Sequence, residues 1–105
     1  MSRFDVESGL DEILRSKGSA FVLFYASWCP FSRRFLPIFE RFAEDKQHSC
    51  LRIKIDDEES LMEEYSVDVV PTILFFENGE VKRRLDGALG AGLSEKQLSD
   101  FVNSC

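Results

Sequence analysis

From Ala20 to Ser32 the chain reads AFVLFYASWCPFS. Its first six residues are continuously apolar and rich in aromatic side chains, as in a short central strand buried on both faces. Its last five, Trp28 to Ser32, set a cysteine immediately before a proline. Beyond the cysteine the period becomes helical. Phe31, Phe35, Ile38, Phe39 and Phe42 recur at three- and four-residue spacing, so residues 30–46 are expected to form an amphipathic helix. Pro30 suits its first position, where a missing N–H leaves nothing unpaired. Pro37 lies inside it, removes the bond to the Arg33 carbonyl and is expected to kink the axis. A strand therefore runs straight into a cysteine at a helix start.

Outward from that junction the periodicities change in a regular order. Residues 5–16 read as an amphipathic helix with Val6, Leu10, Ile13 and Leu14 on one face, ended by Lys17-Gly18-Ser19. Residues 51–55, LRIKI, alternate as a strand does, and a short acidic helix is expected over 58–65. Residues 72–77 and 81–85 read as two strands joined by Asn78-Gly79, a strong hairpin signal. Residues 94–103 read as a last helix. Ser94 is its N-cap, Gln97 completes a capping box, and Leu98, Phe101 and Val102 form its apolar face. The order is αβαβαββα. A helical crossover makes the first two strands parallel and right-handed, and the hairpin makes the last two antiparallel. The expected fold class is α/β, with a central four-stranded mixed sheet flanked by helices on both faces.

Composition bounds the function. The chain has 105 residues, and residues 1–105 are read as one domain. A chain of this length buries roughly two-thirds of its unfolded surface and needs no disulfide staple. Hydrophobic residues make up 44%, ten of them Phe, which excludes disorder. The net charge is −6 and no basic stripe is present, which argues against nucleic acid and anionic membrane surfaces as partners. No apolar run is long enough to span a bilayer and no secretory leader is evident, so a cytoplasmic location is expected. The three cysteines, Cys29, Cys50 and Cys105, are odd in number and irregularly spaced, which is not a disulfide framework. His48 stands without ligand partners, and neither a metal nor a cofactor is expected. The acidic run Asp56 to Glu59 reads as a solvated face and does not match a calcium loop.

These elements and motifs together resemble the thioredoxin family along nearly the whole chain. The matching features are FVLFYASWC, Pro37 eight residues after Cys29, the tripeptide Val70-Pro71-Thr72, FFENGEV in the hairpin, and Gly87-Ala88 after the last strand. The resemblance implies the thioredoxin fold. It also implies that Pro71 follows a cis peptide bond and lies beside Cys29, with the Val70 backbone pairing to an extended substrate segment. The residues alone say only that an X-Pro bond is where the cis form is least costly. Trp28, Pro30 and Phe31 are expected to line the contact surface, Phe31 as an exposed member of the aromatic stripe. Three positions depart from the family pattern. Ser32 stands where the family has its resolving cysteine. Leu23 stands where thioredoxins usually carry a buried acid. Pro30-Phe31 replaces the usual Gly-Pro, a local likeness to glutaredoxin without an evident glutathione-binding signature elsewhere.

Thiol–disulfide exchange begins with a thiolate. At a helix N-terminus, free N–H groups and the macrodipole favour the negative charge that Cys29 needs. Ser32, one turn on, is in reach to donate to the sulfur, and Arg33 and Arg34 add positive charge. Cys29 and Ser32 are the candidate catalytic pair; Trp28, Pro30, Phe31, Val70 and Pro71 are the candidate substrate contacts. A serine hydroxyl cannot resolve a mixed disulfide, so another thiol must. That favours isomerisation, transfer with glutathione-like small thiols, or capture of protein disulfide or thiol clients over stand-alone reduction. The expected protein is thus a monomeric, monothiol, disulfide oxidoreductase or isomerase-type protein. Two alternatives stand beside it: a redox-silent module binding an extended client in the same groove, and an engineered Cys-to-Ser trapping variant of a dithiol enzyme. Cys50 reads as a small apolar filler just before a strand, and Cys105 as an incidental terminal thiol.

Overall fold

The apolar run from Ala20 to Tyr25 lies in β1 (Ser19–Tyr25), which is buried from Ala20 to Phe24. The computed structural model describes residues 13–15, 18–44, 49–57, 59–88 and 91–105. β1 pairs in parallel with β2 (Ser49–Lys54) and antiparallel with β3 (Thr72–Glu77), which pairs antiparallel with β4 (Glu80–Asp86). The sheet order is β2-β1-β3-β4, so the two most apolar strands are the inner ones. β4, on an edge, carries Glu80, Lys82, Arg83, Arg84 and Asp86, charges that discourage a further strand from pairing there.

Strand alternation sends successive side chains to opposite faces, and each face builds a core. Phe21, Leu23, Ile73 and Phe75 meet Phe35 and Phe39 of α1 (Pro30–Ala43) and Leu98 and Phe101 of α3 (Glu95–Ser104). On the other face Val22, Phe24, Ile53, Leu74 and Phe76 pack with Val67. Leu61 and Met62 of α2 (Glu59–Glu64) lie against them, half-buried. Helices on both faces of a four-stranded mixed sheet is the expected architecture.

Local chemistry fixes most boundaries. Pro30 opens α1 and Pro37 lies within it. Asn78 and Gly79 adopt φ of 55° and 80°, the left-handed pair that a tight hairpin turn between twisted strands requires. Ser94 Oγ accepts from the Gln97 amide at 3.2 Å and Gln97 Oε1 accepts from the Ser94 amide at 2.9 Å, the reciprocal capping box expected from the sequence.

Several expectations shift. α1 ends at Ala43, earlier than residue 46. β2 begins at Ser49, so Cys50 lies inside the strand opposite Phe21 rather than before it. Ile55 leaves the strand for a 3-10 turn, Ile55–Asp57, where its side chain is still buried. Of the expected N-terminal helix only 13–15 falls among the described residues, and these are helical. Ile13 packs against the core while Leu14 is exposed, so they do not share a buried face; Val6 and Leu10 lie outside the described residues.

Candidate active site at the start of the first helix

β1 runs out at Tyr25, and a four-residue turn, Ala26 to Cys29, carries the chain into α1. Cys29 is the N-cap, with extended φ and ψ of −91° and 122°. Its carbonyl accepts the first helical bond from Arg33 N at 3.0 Å, and its amide donates to the Ala26 carbonyl at 3.3 Å. The thiol therefore stands at the end of the helix where backbone N–H groups are free to face an anion. Cys29 is 7% exposed, and its Sγ lies 3.9 Å from the Val70 carbonyl, to which the thiol donates.

Val70 precedes Pro71 through a cis peptide bond, and the Cys29–Val70 contact brings together two segments 41 residues apart. The loop is held from behind. Buried Thr72 donates its hydroxyl to the Val69 carbonyl and accepts the Gly87 amide at 3.4 Å. Gly87 lies so close to the Pro71 carbonyl that a Cβ there would run into it.

Trp28 is 67% exposed and Pro30 is also exposed, so both present surface beside the thiol. Phe31 is less open than expected. It is half-buried against the core, a Cβ added at Gly92 would lie 2.7 Å from its own Cβ, and the Arg34 guanidinium stands 5.5 Å from its ring centroid.

Ser32 is fully buried, and its Oγ accepts the Ala26 amide at 3.1 Å. That bond closes the turn between β1 and α1. A bond from Ser32 to Cys29 Sγ is not among the hydrogen bonds of the described residues. Leu23 is fully buried in the core that α1 covers, so the place of the buried acid is filled by hydrocarbon. Arg33 and Arg34 are exposed on α1.

One contact at the junction is invisible in the sequence. The Ser27 amide donates to Asp56 Oδ1 at 3.2 Å and the Ser27 hydroxyl donates to Oδ2, which holds the Asp56 carboxyl below the ordinary carboxylate range. Asp56 is thus more than part of a solvated acidic face. Its signal was its place: the parallel pairing of β1 with β2 sets it level with the residue that follows Tyr25 and Ala26.

The other thiols are elsewhere. Cys50 is half-buried in β2, and burial pushes its thiol up to about 11. Cys105 is exposed at the end of α3; partial burial raises its thiol, with Arg83 acting in the opposite direction. All three cysteines are thiols rather than halves of disulfides. His48 lies outside the described residues, and among those described no group of three His, Cys, Asp or Glu side chains is placed to hold a metal.

The family model described as Thioredoxin matches residues 4–104. A thioredoxin from Buchnera aphidicola subsp. Baizongia pistaciae is 36% identical over 93 residues, covering 87% of this chain and 82% of that one. A thioredoxin from Mycoplasmoides gallisepticum is 30% identical over 82 residues, covering 77% and 82%. Among solved structures, a mutant thioredoxin from Halobacterium salinarum NRC-1 superposes with a TM-score of 0.77 at 28% identity, covering 90% of this chain and 80% of that one. The sheet order and its flanking helices are those of the same fold, with Cys29 in the position expected of the nucleophile.

Proposed function

The chain belongs to the thioredoxin family of thiol–disulfide oxidoreductases, and from that premise we propose that it exchanges disulfides through Cys29 alone. The observation that carries this reading is Cys29 as the N-cap of α1, its Sγ facing the Val70 carbonyl beside Pro71, with a buried serine one turn on.

The Cys29 thiolate attacks one sulfur of a client disulfide. A new bond forms to Sγ, the client S–S bond breaks, and the departing sulfur leaves as a thiolate and takes up a proton. Ser32 supplies no second sulfur; its hydroxyl oxygen is engaged in holding the turn. An external thiolate, from a protein or a glutathione-like thiol, then attacks the mixed disulfide and returns Cys29 as a thiolate. The incoming thiol emerges in a disulfide, so each cycle moves a disulfide from one pair of sulfurs to another. Isomerisation and thiol transfer fit this sequence better than stand-alone reduction. The Val70 backbone offers pairing groups to an extended client, and Trp28, Pro30 and the open edge of Phe31 flank it. In this reading the protein works as a monomer on protein disulfide or thiol clients in a reducing cytosol, where a lone reactive thiol remains free.

The test is intact mass and peptide mapping after brief exposure to oxidised glutathione at neutral pH. The expected result is one adduct on Cys29, well ahead of Cys50 and Cys105 and removed by fresh thiol. Cys50, with its thiol pushed up to about 11, stays protonated and slow. A Cys29 no faster than Cys105 overturns the exchange reading and leaves the groove as a binding surface for an extended client.

A further inference from the structure

β4 carries two adjacent arginines that leave the sheet on opposite faces. Arg83 Nη1 donates to the Ser104 carbonyl at the end of α3, at 2.9 Å. Arg84 reaches the other face. Its Nη1 donates to the Tyr65 carbonyl and its Nη2 to the Ser66 carbonyl, both at 3.0 Å. Asp86 accepts from Nε and Nη2, at 2.7 Å in the shortest of these bonds, and fixes the plane of the guanidinium.

The two carbonyls belong to the turn that ends α2. There the Ser66 amide donates to the Glu63 carbonyl at 3.2 Å and the Val67 amide to the Met62 carbonyl at 2.8 Å. This crossed pair is the Schellman ending, whose left-handed residue is usually glycine. Here that residue is Ser66, with φ of 55°, a conformation in which a Cβ crowds the following carbonyl. Carbonyls at a helix C-terminus lack partners within the helix, and a planar guanidinium matches two of them at once, as an ammonium does not. From Ser66 the chain passes through buried Val67 to Val70, whose carbonyl faces Cys29 Sγ.

We propose that Arg84 is a positioning residue for the thiol site. It holds Ser66 in its left-handed turn and so sets where Val70 and Pro71 stand against Cys29. The inference rests on the docking role given to Val70 under the proposed function. It separates two kinds of substrate: a small disulfide without a peptide backbone needs only Cys29, whereas an extended peptide also needs the Val70 backbone in place.

The experiment uses the whole chain and two disulfides, hydroxyethyl disulfide and an extended peptide whose single cysteine is disulfide-linked to mercaptoethanol. Arg84→Met is expected to slow mixed-disulfide formation with the peptide about tenfold, and with hydroxyethyl disulfide less than about twofold, because misplacement of a docking group acts on the oriented substrate. Ser66→Gly placed in the Arg84→Met background removes the crowded Cβ and restores most of the peptide rate. Arg83→Met leaves both rates at the parent value. Equal slowing of both substrates, no slowing of either, or no recovery with Ser66→Gly overturns the proposal. Amide exchange across Val67 to Val70 needs no redox chemistry; it quickens in Arg84→Met and slows again with Ser66→Gly, and an unchanged loop overturns the role of Arg84 by itself. A parent chain whose Cys29 reacts no faster than Cys105 with either disulfide instead removes the exchange reading, and with it the catalytic consequence assigned to Arg84.

Discussion

Ser32 shows how a residue read for one task is taken up by another. Counting one helical turn from Cys29 suggests a hydroxyl that donates to the thiol, whereas in the structure its oxygen accepts a backbone amide of the turn. That partner was not legible in the sequence. Ala26 N–H becomes spare because β1 has ended and α1 has not begun, and a periodicity argument does not reveal the donor left over at such a junction. Ser32 Oγ accepts that amide from a fully buried position. Ser32→Ala leaves the amide without an acceptor, and a buried unpaired donor costs about 1–3 kcal/mol. Urea unfolding is expected to show a loss of that size; a loss below about 0.5 kcal/mol, the range of neutral surface changes, means that the turn does not depend on this bond. Asp56 was hidden for a similar reason. It meets Ser27 across 29 residues of chain, and only the strand pairing makes them neighbours.

At the scale of elements the sequence was most informative where a local rule governs. Asn78-Gly79 announced the hairpin and Ser94 with Gln97 announced the last helix cap, since each needs only residues a few positions apart. The edge of β2 was not legible, because Ser49 and Cys50 carry no strand signal of their own and join the strand by pairing with Ala20 and Phe21. The contact between the end of β4 and the loop before β3 belongs here too. Gly87 follows β4, donates its amide to Thr72 Oγ1, and leaves no room for a Cβ beneath the Pro71 carbonyl. The obstacle is backbone on both sides, so neither partner can swing away. Gly87→Ala is expected to push the strand exit and the Val70-Pro71 loop apart and to cost about 1–3 kcal/mol, as overpacking of a well-fitted contact does. The rate of Cys29 with an extended peptide should fall more than the rate with hydroxyethyl disulfide. A variant with parent stability and parent rates means the two segments are not held in register by this contact.

The whole molecule hangs on β1, because its side chains serve both cores while its end carries the thiol. The topology was legible for that reason: a strand apolar on both faces belongs inside a sheet covered on both sides. Phe21 is fully buried where three elements of one of those cores meet. Its ring lies 5.3 Å from that of Phe42 in α1, 4.9 Å from Phe75 in β3 and 6.1 Å from Phe101 in α3. Truncation would leave a space bordered by three separate elements, none of which can close it alone. Phe21→Ala is therefore expected to cost about 3–5 kcal/mol, a large share of the roughly 5–15 kcal/mol that stabilises a domain. The route of the loss matters as much as its size. Trp28 is the single tryptophan and stands at the thiol site, beyond the far end of β1 from Phe21, while far-ultraviolet circular dichroism reports the helices and sheet together. If β1 makes one cooperative unit of the two cores and the site, both probes shift to the same lower denaturant midpoint in Phe21→Ala. A Trp28 transition that stays at the parent midpoint while the dichroism moves would mean that the thiol site unfolds apart from the core beneath it.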